Sequence, residues 1–139
     1  MRLIFPQKVV IMMKFRPLAF AGMLTLALTA TTQTSAQTRW DFSGNYLASG
    51  INVDGTKYSK VPVSIVTKGN NYSVTWKLEG SVWKGVGTDI GNTFAVGYQV
   101  DGVPGVGIYK FNTTSGVLTG FWQLDDSDKE GTEVLTPVK

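Results

Sequence analysis

The chain has 139 residues with no Cys and no His, 13 Lys+Arg against 10 Asp+Glu, and is 42% hydrophobic and 12% aromatic. That length accommodates one domain. Four of the basic residues (Arg2, Lys8, Lys14, Arg16) and all four Met fall within the first 23 positions, and from Gln37 onward nine basic residues face ten acidic ones. The excess positive charge therefore belongs to a leader, and a nucleic-acid-binding reading loses its support. Beyond the leader the common general base, the thiol nucleophile and nearly every transition-metal site are excluded.

Residues 1 to 36 have the three parts of a secretory signal: a basic segment ending at Lys14 and Arg16, an apolar stretch from Leu18 to Ala30, and the small-residue end Thr34-Ser35-Ala36. Cleavage is expected after Ala36. The 13 apolar residues are too few for a helix of about 20 residues across the hydrocarbon layer, so no membrane span is expected in the mature protein. Met12 and Met13 offer alternative starts that leave the mature chain unchanged. With no Cys after the apolar stretch the product is not a lipoprotein, and is expected in the periplasm or outside the cell. Such a compartment permits disulfides, and this chain can form none. Residues 37–139 must therefore fold as a single domain on the strength of their core alone.

From Trp40 on, turn signals recur at Asp54-Gly55, Gly69-Asn70-Asn71, Glu79-Gly80, Gly91-Asn92, Asp101-Gly102, Thr114-Ser115-Gly116 and Asp126-Ser127-Asp128. Their spacing predicts eight strands of six to nine residues with no helix between them. Period-two alternation gives several strands one buried face. Val61, Val63 and Ile65 share a side, as do Tyr72, Val74, Trp76 and Leu78; Phe94, Val96, Tyr98 and Val100 follow, and then Leu118, Gly120, Trp122 and Leu124.

An even number of consecutive antiparallel strands removes both sheet edges if the last pairs with the first. The predicted fold is thus all-β, an eight-stranded up-and-down meander closed into a small barrel. A β-sandwich is the runner-up, disfavoured because no connection is long enough to cross between sheets. Glycines within strands (Gly85, Gly87, Gly97, Gly105, Gly107, Gly120) fit the bends of a strongly curved sheet.

Five segments carry a family resemblance: Tyr46 to Tyr58, Tyr72-Ser-Val-Thr-Trp76, Gly107-Ile-Tyr-Lys110, Gly116-Val-Leu-Thr-Gly-Phe-Trp122 and Gly131-Thr-Glu-Val-Leu-Thr-Pro137. Together they resemble a family of small secreted bacterial proteins, mostly uncharacterised, some labelled fibronectin-binding. More loosely, Trp40-Asp-Phe-Ser-Gly-Asn-Tyr46 and Gly116-Val-Leu-Thr-Gly120 look like the opening strand and a hairpin of avidin-like and lipocalin-like barrels. The avidin pattern has an Asn after its second aromatic, where this chain has Leu47 and Ala48, so the resemblance implies no biotin-binding residue.

Thirteen aromatic residues follow the leader. Most are expected to fill the barrel, but Tyr and Trp bring polar atoms that a wet mouth satisfies readily. Tyr46, Tyr72, Trp76, Tyr98 and Trp122 are the candidate ligand-binding residues. If Tyr109 and Phe111 point inward, Val106 and Ile108 point outward beside Ala95 and Gly97. These four form a candidate interface for a homo-oligomer or protein partner.

Other motifs dissolve on inspection. Gly85-Val-Gly87 and Gly105-Val-Gly107 lack the following helix that a phosphate loop needs. Asp126 to Gly131 begins like a calcium loop, but Pro137 stands where the closing Glu should be, so a solvated hairpin tip is expected. Asp125 and Asp126 are adjacent on a strand and face opposite ways. The sequons at Asn71 and Asn112 read as turn chemistry.

No spacing pairs a nucleophile with its base, and no cofactor motif is present. The expected function is a secreted, non-enzymatic binding protein with a small, mainly apolar ligand in or at the mouth of an aromatic-lined barrel. The alternative is a protein-interaction module, an adhesin or inhibitor, with a solid core and recognition through loops or the outer patch.

Overall fold

A computed structural model describes residues 39–139; the leader reading and its cleavage after Ala36 lie outside the described residues. Eight strands run in chain order: β1 (Gly44–Ile51), β2 (Lys57–Lys68), β3 (Asn71–Leu78), β4 (Ser81–Ile90), β5 (Thr93–Val100), β6 (Val103–Phe111), β7 (Leu118–Leu124) and β8 (Glu130–Pro137). Each pairs antiparallel with the next, and β8 pairs with β1 to close the barrel. The architecture is the predicted up-and-down barrel.

The alternating residues face as the sequence pattern requires. Even-numbered side chains of β1, β3, β5 and β7 and odd-numbered ones of β4, β6 and β8 point inward, as the buried Tyr46, Val74, Phe94, Leu118, Tyr109 and Leu135 show. The turns follow their local chemistry. Asp101 (φ 50°) and Gly102 (φ 83°) both take the left-handed conformation that a two-residue hairpin demands. Asn112 folds its own loop, its side-chain oxygen accepting from the amides of Thr114 and Ser115.

Three expectations need correction. The opening strand does not begin at Trp40: Trp40 to Ser43 precede β1 and carry Phe42 into the barrel as a plug. Strands β2 and β4 have 12 and 10 residues, longer than the turn spacing suggested. Finally, β2 contains a bulge. Ala48 pairs with Val61 but Gly50 pairs with Tyr58, so Ser59 and Lys60 together oppose Ser49, and Lys60 adopts φ 57°. The extra residue reverses the facing of everything N-terminal to it.

The two ends of the barrel differ. At one, Phe42 is fully buried and stacks on Phe94 at 5.2 Å, with Phe111 at 5.0 Å and Tyr72 edge-on at 5.8 Å. Arg39 holds the plug in place by donating to Asp89 (2.8 and 3.0 Å) and to the Asn70 carbonyl (2.8 Å), with its guanidinium over the Tyr72 ring. Among the described residues no such segment covers the other end, and the candidate site lies there.

Candidate functional site

Large inward side chains in a small barrel need room, and glycine on the neighbouring strand provides it. A Cβ at Gly105 would lie 2.6 Å from the Tyr98 ring, and one at Gly131 would collide with the Trp122 indole. Gly87, Gly105, Gly107 and Gly131 are recesses for rings, whereas a Cβ at Gly50 or Gly120 would strike the backbone of the adjacent strand, and Gly97 faces outward with open space around it. Around one level of the barrel the register reads Tyr58, Gly50, Glu133, Gly120, Tyr109. Each polar side chain there is flanked by glycine.

Above this level the rings do not fill the lumen, and an open cavity of about 170 Å³ remains. Its wall is built from Tyr58, Trp76, Trp83, Tyr98, Tyr109 and Trp122, with Val61, Leu78, Asn52 and Glu133. Trp76 lies against Tyr98 with ring centroids 5.6 Å apart.

Glu133 is the one buried charged residue among the described residues, only 5% exposed. Three donors converge on it. The Tyr109 hydroxyl donates to Oε1 at 2.8 Å, the Trp76 indole N–H to Oε1 at 3.3 Å, and the Tyr58 hydroxyl to Oε2 at 2.8 Å. Burial pushes the carboxyl above its ordinary range, while the three hydrogen bonds pull against that shift. Burial first and the nearby Glu133 charge second raise the hydroxyls of Tyr58, Tyr98 and Tyr109, so these groups remain protonated.

Of the five ligand residues expected from sequence, Trp76, Tyr98 and Trp122 come together in the cavity wall. Tyr46 and Tyr72 do not join them. Both are buried nearer the plugged end, where the Tyr46 hydroxyl donates to the Phe42 carbonyl at 2.9 Å and the Tyr72 hydroxyl to that of Trp40 at 3.4 Å. Ala95 and Gly97 pair with Ile108 and Val106 respectively, on the outside of the barrel.

Sequence reasoning missed Glu133 and Tyr58 and gave no role to Trp83 or Tyr109. A weak signal existed for Glu133, which shares parity with Gly131 and Leu135. The adjacent Val134 and Leu135 leave the facing of β8 ambiguous, however. Tyr58 had no signal, since simple alternation from Val61 turns it to solvent. No protein-family model and no curated protein matches the chain.

Proposed function

We propose that the protein is a non-enzymatic binding protein, exported to the periplasm or beyond, that takes a small and mainly apolar ligand into the unplugged end of its barrel. The observation that carries this reading is the contrast between the two ends. Rings pack closely around the fully buried Phe42, whereas six aromatic side chains at the other end surround space they do not fill. A volume of about 170 Å³ suits a ligand with one ring, since an apolar cavity of about 150 Å³ holds benzene. It falls below the roughly 300 Å³ at which pockets for larger ligands begin. Export is supported by the three-part leader.

The direct test is intrinsic fluorescence. Trp76, Trp83 and Trp122 line the cavity while Trp40 lies at the plugged end, so a Trp40→Phe background isolates the reporters. Titration with small aromatic compounds should shift the emission saturably. No response to any of them would remove the reading.

A second reading, recognition through the outer surface, is favoured by one observation. Val86, Gly97 and Val106 are register neighbours, with Ala95, Ile108 and Phe121 in the adjoining row, and Val86 and Val106 are each 65% exposed. Contiguous apolar surface of this kind is associated with interfaces, and a second copy of the chain is the occupant proposed here. Sedimentation across a concentration range should then show a dimer that Val106→Lys with Ile108→Lys dissolves. A strict monomer at high concentration eliminates the reading.

A further inference from the structure

The carboxylate at the base of the cavity has no cationic partner among the described residues. Among the described residues the one ion pair joins Arg39 to Asp89 at the plugged end, and the cavity wall contains no Lys or Arg. The side chains that face Glu133 from across the barrel are all neutral, Tyr58 on β2, Trp76 on β3, Tyr98 on β5 and Tyr109 on β6, and its register neighbours on β1 and β7 are Gly50 and Gly120. Burial favours the neutral acid, hydrogen bonds from such donors favour the ionised form without cancelling its charge, and a bound cation would favour that form further. In a surrounding of low polarity that residual charge attracts a cation far more strongly than it would in water. The rings add a second preference of the same sign, because the faces of Trp and Tyr are negative and bind organic cations.

The connections between strands supply an independent observation. The four at the cavity end, residues 52–56, 79–80, 101–102 and 125–129, carry Asp54, Glu79, Asp101, Asp125, Asp126 and Asp128 against the single Lys129. The three connections at the plugged end, residues 69–70, 91–92 and 112–117, carry no charge. A rim of carboxylates around a ring-lined opening concentrates positively charged solutes and repels anions.

We propose that the cavity binds a small organic cation, a protonated amine on an apolar body about the size of one aromatic ring, with its nitrogen directed at Glu133. The proposal rests on the reading of the cavity as a ligand site. An anionic ligand would meet both the buried carboxylate and the acidic rim. A neutral one would leave the buried charge uncompensated.

The test compares three probes of matched size on the wild-type protein by calorimetry at neutral pH: benzylamine, benzyl alcohol and benzoate. Benzylamine should bind at least about tenfold more tightly than benzyl alcohol, benzoate should not bind, and the benzylamine association rate should fall as salt is added. Glu133→Gln should remove most of the advantage of benzylamine over the alcohol, leaving the smaller share that the rings supply. The wild-type comparison decides the matter even if that variant fails to fold. Equal affinity for amine and alcohol, or preference for benzoate, overturns the cation inference while keeping the cavity as a ligand site. Failure of all three to bind overturns both.

Discussion

At the scale of the residue, Glu133 makes a prediction whose sign follows from its surroundings. Burial raises its folded-state carboxyl pKa above the unfolded value, so the folded chain holds this proton more tightly than the unfolded chain does. Its contribution to stability is then most favourable in acid, falls as pH rises from the ordinary carboxylate range through the raised folded value, and is level above that. Glu133→Gln removes the dependence. Thermal unfolding curves of variant and wild type should coincide in acid, with the variant the more stable at neutral pH; a gap independent of pH would contradict the account. Glu133→Leu is a different experiment, because it strips the acceptor from Tyr58, Tyr109 and Trp76. Unsatisfied buried donors should cost about 2–4 kcal/mol in denaturant unfolding. Gly120→Ala tests the close approach of β7 to β6: its Cβ would strike the Ile108 carbonyl and lie 2.8 Å from the Tyr109 Cα. Backbone cannot step aside as a side chain can, so a loss of about 1–3 kcal/mol is expected.

At the scale of the element, the bulge in β2 matters most to the site. Val61, Val63 and Ile65 fix the facing of the strand beyond it, and strict alternation would carry Tyr58 to the outside. Ser59 and Lys60 opposing a single residue reverse that, bringing the Tyr58 hydroxyl to Glu133. Deleting Lys60 should leave Ser59 alone opposite Ser49 and make the strand regular, with Gly50 still paired with Tyr58, the Tyr58 ring still in the cavity and binding of any ligand held there retained, the barrel still folded. Circular dichroism together with the fluorescence titration reads both outcomes. Lys60→Gly, by contrast, keeps the bulge and relieves a side chain at φ 57°; it should leave binding intact and raise stability by up to about 1 kcal/mol. The regular strands were legible from period-two patterning alone because each has one wet and one dry face. This bulge was not, since the residues that form it are ordinary and their conformation is imposed by pairing with β1.

At the scale of the whole molecule, the barrel is a cup with a sealed base and an acidic, aromatic mouth. Phe42→Ala should cost about 3–5 kcal/mol by opening a hole among Phe94, Phe111 and Tyr72, yet leave ligand affinity nearly unchanged because the plug is at the far end from the cavity. An equal loss of affinity would show that the two ends are coupled. Sequence by itself determined the strand number, the antiparallel meander and most of the inward set, since hairpin spacing and alternation are local; it favoured closure over a sandwich, and the pairing of β8 with β1 decided it. It also placed Trp76, Tyr98 and Trp122 on the inner face. Height along the barrel axis was beyond its reach, and that coordinate separates these three from Tyr46 and Tyr72: all five point inward, but two are covered by Phe42 and its neighbours and three are not. The tertiary structure alone decided that a segment ahead of β1 would close one end, that a bulge would turn Tyr58 inward, and that Glu133 would stand among three donors from three strands. Each depends on which residues meet across the closed sheet, and the pattern along a single strand does not contain that information.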